Sequence, residues 1–210
     1  MQITVPCETF ARLSKIATAF EADRDPAYFR SIYLEHKAGR SFAVATNIKF
    51  AAIEYLGRTT QPDASVNIDC DDALIKQCEV ERSLKGSLTI DYMSALRFAS
   101  VKSSFGYVHP VNAAVFTATD NPAFERWRNW LPDKMPSENS KPMFVDAANL
   151  AVLAESSPSG LILFPEFTSS VVVVRDALVD NWLGAFIGTG ELADGRVIKE
   201  MPVKMPDWVK

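Results

Sequence analysis

The sequence predicts an α+β fold made of repeated units, each a strand, a helix and three further strands, with the helices on one face of antiparallel sheets. Three observations predict it. Short runs alternate apolar and polar residues, as in SFAVATNIKFAAIEY at 41–55, which is the period of a half-buried strand. One helix-like stretch precedes each group of three such runs. The whole arrangement recurs about every 50 residues, a period at which supersecondary units bury their faces against one another.

The first unit opens on an alternating strand, Met1 to Val5. Pro6 then starts a helix with Glu8 in its first turn. Phe10, Leu13, Ile16, Ala17 and Phe20 share one helical face, and the helix is expected to end near Ala22, before Asp23-Arg24-Asp25-Pro26. Strands follow at 28–36, 41–46 and 49–56. Residues 37–40 (KAGR) turn the chain between the first two, with Gly39 at a position that favours a turn, and Thr46-Asn47 sits between the last two.

The second unit begins with ASVNID at 64–69. Asp71-Asp72 supplies helix-start chemistry, and Leu74, Ile75 and Cys78 make a short apolar face. Strand-like runs follow at 86–92, 94–101 and 104–111. Residues 119–142 hold four prolines and read as a linker. MFVD at 143–146 starts a further strand. AANLAVLAESS is a helix with Ala147, Leu150, Leu153 and Ala154 on one face, and strands follow at 160–166, 169–176 and 181–188. Pro165 cannot donate to a ladder, so its strand is expected at an edge or a bulge. The chain thus divides into a two-unit domain at 1–118, a linker at 119–142, a third unit at 143–190 and a tail at 191–210.

The 210 residues are 48% hydrophobic, enough for one sizeable core. The net charge of −4 excludes a plainly basic nucleic-acid binder but leaves room for a local basic face. Cys7, Cys70 and Cys78 are poorly spaced for a metal and read as free thiols, buried or half-buried, in a reducing cytosol. No apolar run reaches the roughly 18 residues of a membrane span, so a soluble, cytoplasmic protein is expected. His36 and His109 have no nucleophile motif beside them, and no phosphate loop or zinc signature occurs. These absences point to binding rather than catalysis, with an unrecognised enzyme as the remote alternative.

MQITVPCETFARLSKIATAF resembles the opening strand and helix of the bacterial replicative DNA sliding clamp, the polymerase beta subunit. ATNIKFAAIEY resembles its third and fourth strands, and MFVDAANLAVLAESS and NWLGAFIG resemble the start and end of a further half-domain. The resemblance covers residues 1–118 and 143–190. It implies a ring with sheets outside and helices lining a DNA channel. It further implies duplex DNA held without sequence preference, a DNA polymerase or other replication protein as partner, a homo-oligomer, no cofactor and no catalysis. A complete bacterial clamp chain has six halves and this one has three, a shortened form such as a phage would encode. If twelve halves close a ring, about four chains joined head to tail are expected. Their seam is expected near Ser94–Val101 or Asn181–Ile187, unless the tail from Gly190 covers that edge and leaves a monomer.

The resemblance assigns DNA phosphate contacts to Arg12, Lys15, Arg24 and Lys76. Lys15 projects opposite the apolar face of the first helix with Arg12 on its flank, and Arg24 lies in the loop beyond. Lys76 points outward from the second helix, with Arg82 and Lys85 just past its end. The third helix presents Ala148, Val152 and Glu155 and no cation, which favours a rival reading: a clamp-fold interaction or regulatory protein that does not encircle DNA. In FERWRNW at 124–130, Arg126 and Arg128 interleave with Phe124, Trp127 and Trp130. Base stacking is conceivable there, but packing against a domain seam or a subunit contact is the expected role.

Overall fold

The computed structural model describes residues 2–19, 30–46, 50–91, 98–103, 105–111, 115–117, 127–131, 147–165 and 171–187. Strand β1 (Gln2–Pro6) leads into helix α1 (Cys7–Thr18), followed by β2 (Ser31–Lys37), β3 (Arg40–Thr46) and β4 (Phe50–Arg58). The order then repeats: β5 (Ala64–Asp69), α2 (Asp72–Arg82), β6 (Ser87–Asp91), β7 (Phe98–Lys102) and β8 (Val108–Val111). After β9 (Val115–Thr117) and a 3-10 turn at Trp127–Trp130 come α3 (Ala147–Ser156), β10 (Leu161–Pro165), β11 (Val171–Asp176) and β12 (Trp182–Ile187). Among the described residues all pairings are antiparallel. Among the described residues no helix is long and apolar enough to cross a membrane.

The first two units exchange their leading strands. β1 leaves its own unit and pairs with β6, Ile3 opposite Ile90, while β5 pairs with β2, Ile68 opposite Ile32. The result is one sheet in the order β1-β6-β7-β8 and a second in the order β10-β11-β12-β4-β3-β2-β5-β9. Alternation explains which side chains meet. Ile32, Leu34, Ala43, Ala45, Ala52, Val66 and Ile68 join Phe10, Leu13, Ile16 and Ala17 of α1 in one buried core. Full burial of each of the larger of these side chains is worth about 2 kcal/mol.

The helix ends follow from local chemistry. Pro6 offers no side-chain cap to α1, so the first helical N–H, that of Cys7, donates to the Gly86 carbonyl of the second unit at 2.9 Å. The Asp71 side chain caps α2 by accepting from the N–H groups of Ala73 and Leu74, as the Asp71-Asp72 pair led one to expect. α1 ends at Thr18 rather than near Ala22. Phe20 and MFVD lie outside the described residues.

The β2–β3 turn places Ala38 at φ 50° and Gly39 at φ 72°. Both values are positive, as a tight two-residue hairpin requires. β10 is the edge of the long sheet, where Pro165 costs nothing to the ladder. The expected seam strands are corrected. β12 lies in the sheet interior, paired with β4 of the same chain from Trp182–Glu54 to Phe186–Phe50, and β7 lies between β6 and β8. Neither is an open edge: β12 is covered because the third unit closes on the first within one chain, and β7 because β8 of its own unit pairs with it.

Asp176, at the end of β11, ties the turn after α3 to the β11–β12 turn. It accepts from the hydroxyls of Ser157 and Ser159 and from the N–H groups of Ser159, Leu178 and Val179. Burial alone would raise its pKa, but these hydrogen bonds together hold the carboxyl well below the usual carboxylate range. The folded value is depressed, so its stabilisation is fully present above about pH 4 and is lost as pH falls through that lower value. Asp176→Asn is expected to flatten the decline of stability between about pH 4 and pH 2. Thermal melts of the two proteins at stepped pH check this, and parallel curves would contradict it.

Candidate nucleic-acid interface

Among the described residues the three α-helices share one layer, with α1 packed against both α2 and α3. That enclosure leaves α1 only a narrow stripe to present. Cys7, Thr9, Phe10, Ala11, Leu13, Ser14, Ile16 and Ala17 are buried, and Glu8, Arg12 and Lys15 mark the stripe.

Arg12 turns inward from that stripe. Its Nη2 lies 2.9 and 2.8 Å from the two carboxylate oxygens of Glu54 on β4, and its Nη1 lies 2.7 Å from Glu8. Thr9 donates its hydroxyl to the same Glu54 at 2.6 Å. The Arg12 guanidinium is therefore matched by the buried carboxylate of Glu54 and the exposed one of Glu8. Lys15 is 3.6 Å from Glu155 of α3, an exposed pair of small energetic worth. Lys76 is exposed on α2, as are Arg82 and Lys85 at its end. Arg24 lies outside the described residues. Lys15 thus lies on α1, Lys76 and Arg82 on α2, and Lys85 in the turn that follows α2.

Sequence reasoning missed Glu54. Its signal was the strand parity of KFAAIEYL, which puts Ala52, Glu54 and Leu56 on the helix-facing side. A carboxylate there requires a buried partner.

The sheet face opposite the helices is also covered. Trp127 is fully buried against Phe42, with ring centroids 5.4 Å apart, and donates from Nε1 to Glu35 at 3.3 Å. Arg128 binds the same Glu35 carboxylate at 2.7 Å and lies over the Trp127 and Phe42 rings. Packing, not base stacking, occupies Trp127, as expected. The side chains of Phe124, Arg126 and Trp130 are outside the described set.

The fold as a whole has counterparts among solved structures. The chain is similar to the DNA polymerase III beta subunit of Thermotoga maritima, with a TM-score of 0.59 and 10% identity over 96% of this chain and 65% of that one. DNA polymerase sliding clamps of Caulobacter crescentus and Pseudomonas aeruginosa each give a TM-score of 0.60 at 12% identity, covering 92% and 90% of this chain and 67% of theirs. The fold is that of a DNA sliding clamp. At such identity the likeness is one of fold, and this chain spans about two thirds of the length of those clamp chains. No protein-family model matches it, and no curated protein matches it.

In this clamp fold the helix layer is close to electrically balanced. Lys15, Lys76, Arg82 and Lys85 stand beside Glu8, Asp72, Glu79 and Glu155, and Asp72 pairs with Arg30 at 2.8 Å. Such a surface can touch phosphates at a few points but cannot grip a duplex by charge alone. Cys7, Cys70 and Cys78 are free and buried. Burial, with the nearby Asp69 charge second, pushes the Cys70 thiol far up, so it is no nucleophile.

Proposed function

We propose that this chain is a sliding-clamp-like processivity factor that holds duplex DNA loosely, without sequence preference, and tethers a polymerase or another DNA enzyme while doing no chemistry itself. The observation that carries the reading is the single layer of three helices among the described residues, backed by sheets in the clamp fold, with Lys15, Lys76 and Arg82 on it and Lys85 in the turn after α2. Arg24 belongs to the same proposed set. Weak charge is compatible with this task. A ring holds DNA by enclosure and must slide, so a few phosphate contacts suffice.

A variant with Lys15→Gln, Lys76→Glu, Arg82→Glu and Lys85→Glu is expected to fold normally and to lose DNA association about equally for any duplex sequence. The salt dependence of any residual binding should become shallower as contacts are removed. Equal retention by both proteins on nicked circular DNA would dismiss these residues. The second reading, a clamp-fold interaction or regulatory protein without encirclement, is favoured by the charge balance of the helix layer. It predicts no difference between linear and circular DNA in retention, because nothing encloses the duplex.

A further inference from the structure

The first two units meet at their helices as well as through their exchanged strands. α1 packs against α2. Cys7, the residue that opens α1, is fully buried, and so is Cys78 on α2. The two side chains belong to one core cluster, and their thiols are hydrogen-bonded to each other. Packing alone asks only for small apolar volume at such a contact. Two thiols in contact also carry chemistry, since reactivity is what sets cysteine apart from other small apolar residues.

The two thiols differ. Cys78 donates its S–H to the Cys7 sulfur. That bond favours a thiolate at Cys7 and holds its pKa below the ordinary thiol value, against burial and the Glu81 charge. The same bond, with burial second, pushes the Cys78 thiol far up. Position adds to the difference. Cys7 is the first residue of a 12-residue helix that has no side-chain cap, and a helix N-terminus favours negative charge on sulfur.

The turn after α2 brings a third group to the pair. Cys7 N–H donates to the Gly86 carbonyl and Gly86 N–H donates to the Glu81 carbonyl, each at 2.9 Å. A Cβ on Gly86 would lie 2.7 Å from the Cβ of Glu81, so this close approach requires glycine. Glu81 is buried, and its Oε2 has no hydrogen-bond partner among the described residues. It is an acceptor in place for a proton released by Cys7. Cys70 is buried as well, but among the described residues no hydrogen bond joins its thiol to the pair.

We propose that Cys7 and Cys78 are a redox pair, oxidised by a hydroperoxide to a disulfide that ties α1 to α2. The Cys7 sulfur attacks one peroxide oxygen and the O–O bond breaks. The departing oxygen takes up the proton lost by Cys7 and leaves as water, with Cys7 now a sulfenic acid. The Cys78 sulfur then attacks the Cys7 sulfur. The S–S bond forms, the S–O bond breaks, and the hydroxyl leaves with the Cys78 proton as a second water. Two thiols lose two electrons and two protons, and one hydrogen peroxide becomes two waters. In a reducing compartment such a bond is transient, made under oxidative load and undone by a dithiol reductant. Burial restricts the reaction to small oxidants that enter by local opening. It needs no DNA and stands apart from the proposed function.

The test is peptide mapping of the full native chain after treatment with hydrogen peroxide. Remaining thiols are alkylated in urea and the digest is read without reduction. A peptide pair joining Cys7 to Cys78 is expected, with Cys70 alkylated and the bond removed by dithiothreitol. Circular dichroism should be the same before and after oxidation, because the two sulfurs are already in contact. Cys70→Ser should keep the bond, whereas Cys78→Ala should leave Cys7 as a sulfenic acid that a dimedone probe traps. The wild-type map decides the matter even where a variant folds poorly. Three alkylated thiols after peroxide, a bond that includes Cys70, a bond between chains, or loss of the native circular dichroism on oxidation would each overturn the proposal.

Discussion

Arg12→Leu is expected to cost about 3 to 4 kcal/mol of stability, the largest loss of any single substitution considered. The change leaves Glu54 buried, with Thr9 as its remaining hydrogen-bond donor among the described residues. An uncompensated buried carboxylate must either stay charged at high desolvation cost or take up a proton. The pair itself is a modest net stabiliser, since Arg12 Nε is buried without a partner among the described residues and desolvation offsets the attraction. Arg12→Leu combined with Glu54→Gln should therefore recover most of the loss, and that recovery separates an orphaned charge from lost packing. Urea denaturation of the three proteins measures it. A midpoint unchanged in Arg12→Leu would show that the buried pair does not hold α1 to β4.

Gly184→Val is expected to cost about 3 kcal/mol and to act on the third unit first. A Cβ at Gly184 would lie 2.8 Å from the ring of Trp182 and 3.2 Å from Leu153 of α3. Trp182 and Leu153 are both fully buried, so neither can swing aside without opening the core. Gly184 pairs with Ala52 of β4, and small residues on both strands let α3 settle over this seam. Hydrogen exchange should accelerate in β10, β11 and β12 while β1 and β6 keep their protection. Uniform acceleration across both sheets would argue that the third unit is no separate cooperative element.

The parts of the fold visible in the sequence are those fixed by near neighbours. The KAGR turn, the Asp71 cap and the apolar face of α1 each depend on residues within a few positions. Pro165 marked an edge because a missing N–H is a local fact. Strand exchange is different. Alternation shows which face of β1 is buried, but not that its partner lies 87 residues away at Ile90 rather than within its own unit. The same blindness put Asn181–Ile187 at an open seam, since parity cannot tell an edge from an interior strand.

The buried partner of Arg12 was missed for a related reason. A helical projection put it on the flank of the exposed stripe, and only the fold brings Glu54 beneath it. Within the candidate interface, Lys15 and Lys76 were legible because outward positions on a helix need no tertiary knowledge. The shortage of net charge around them emerges only once Glu155 of α3 is set beside Lys15.

The exchange of β1 and β5 also sets a timetable for synthesis. β1 leaves the ribosome well ahead of its partner β6, which is translated some 87 residues later, from Ile3 to Ile90. At typical elongation speeds that is a wait of roughly 4 to 17 seconds. Through that interval the first unit can build β2, β3 and β4, and late in it can add β5 on the outer side of β2, but it cannot build its own leading strand's sheet. Neither unit reaches its final sheet before the other has been made. The nascent chain therefore carries two unfinished sheets that complete each other late, and a ribosome stalled between the units holds a product with no stable stopping point.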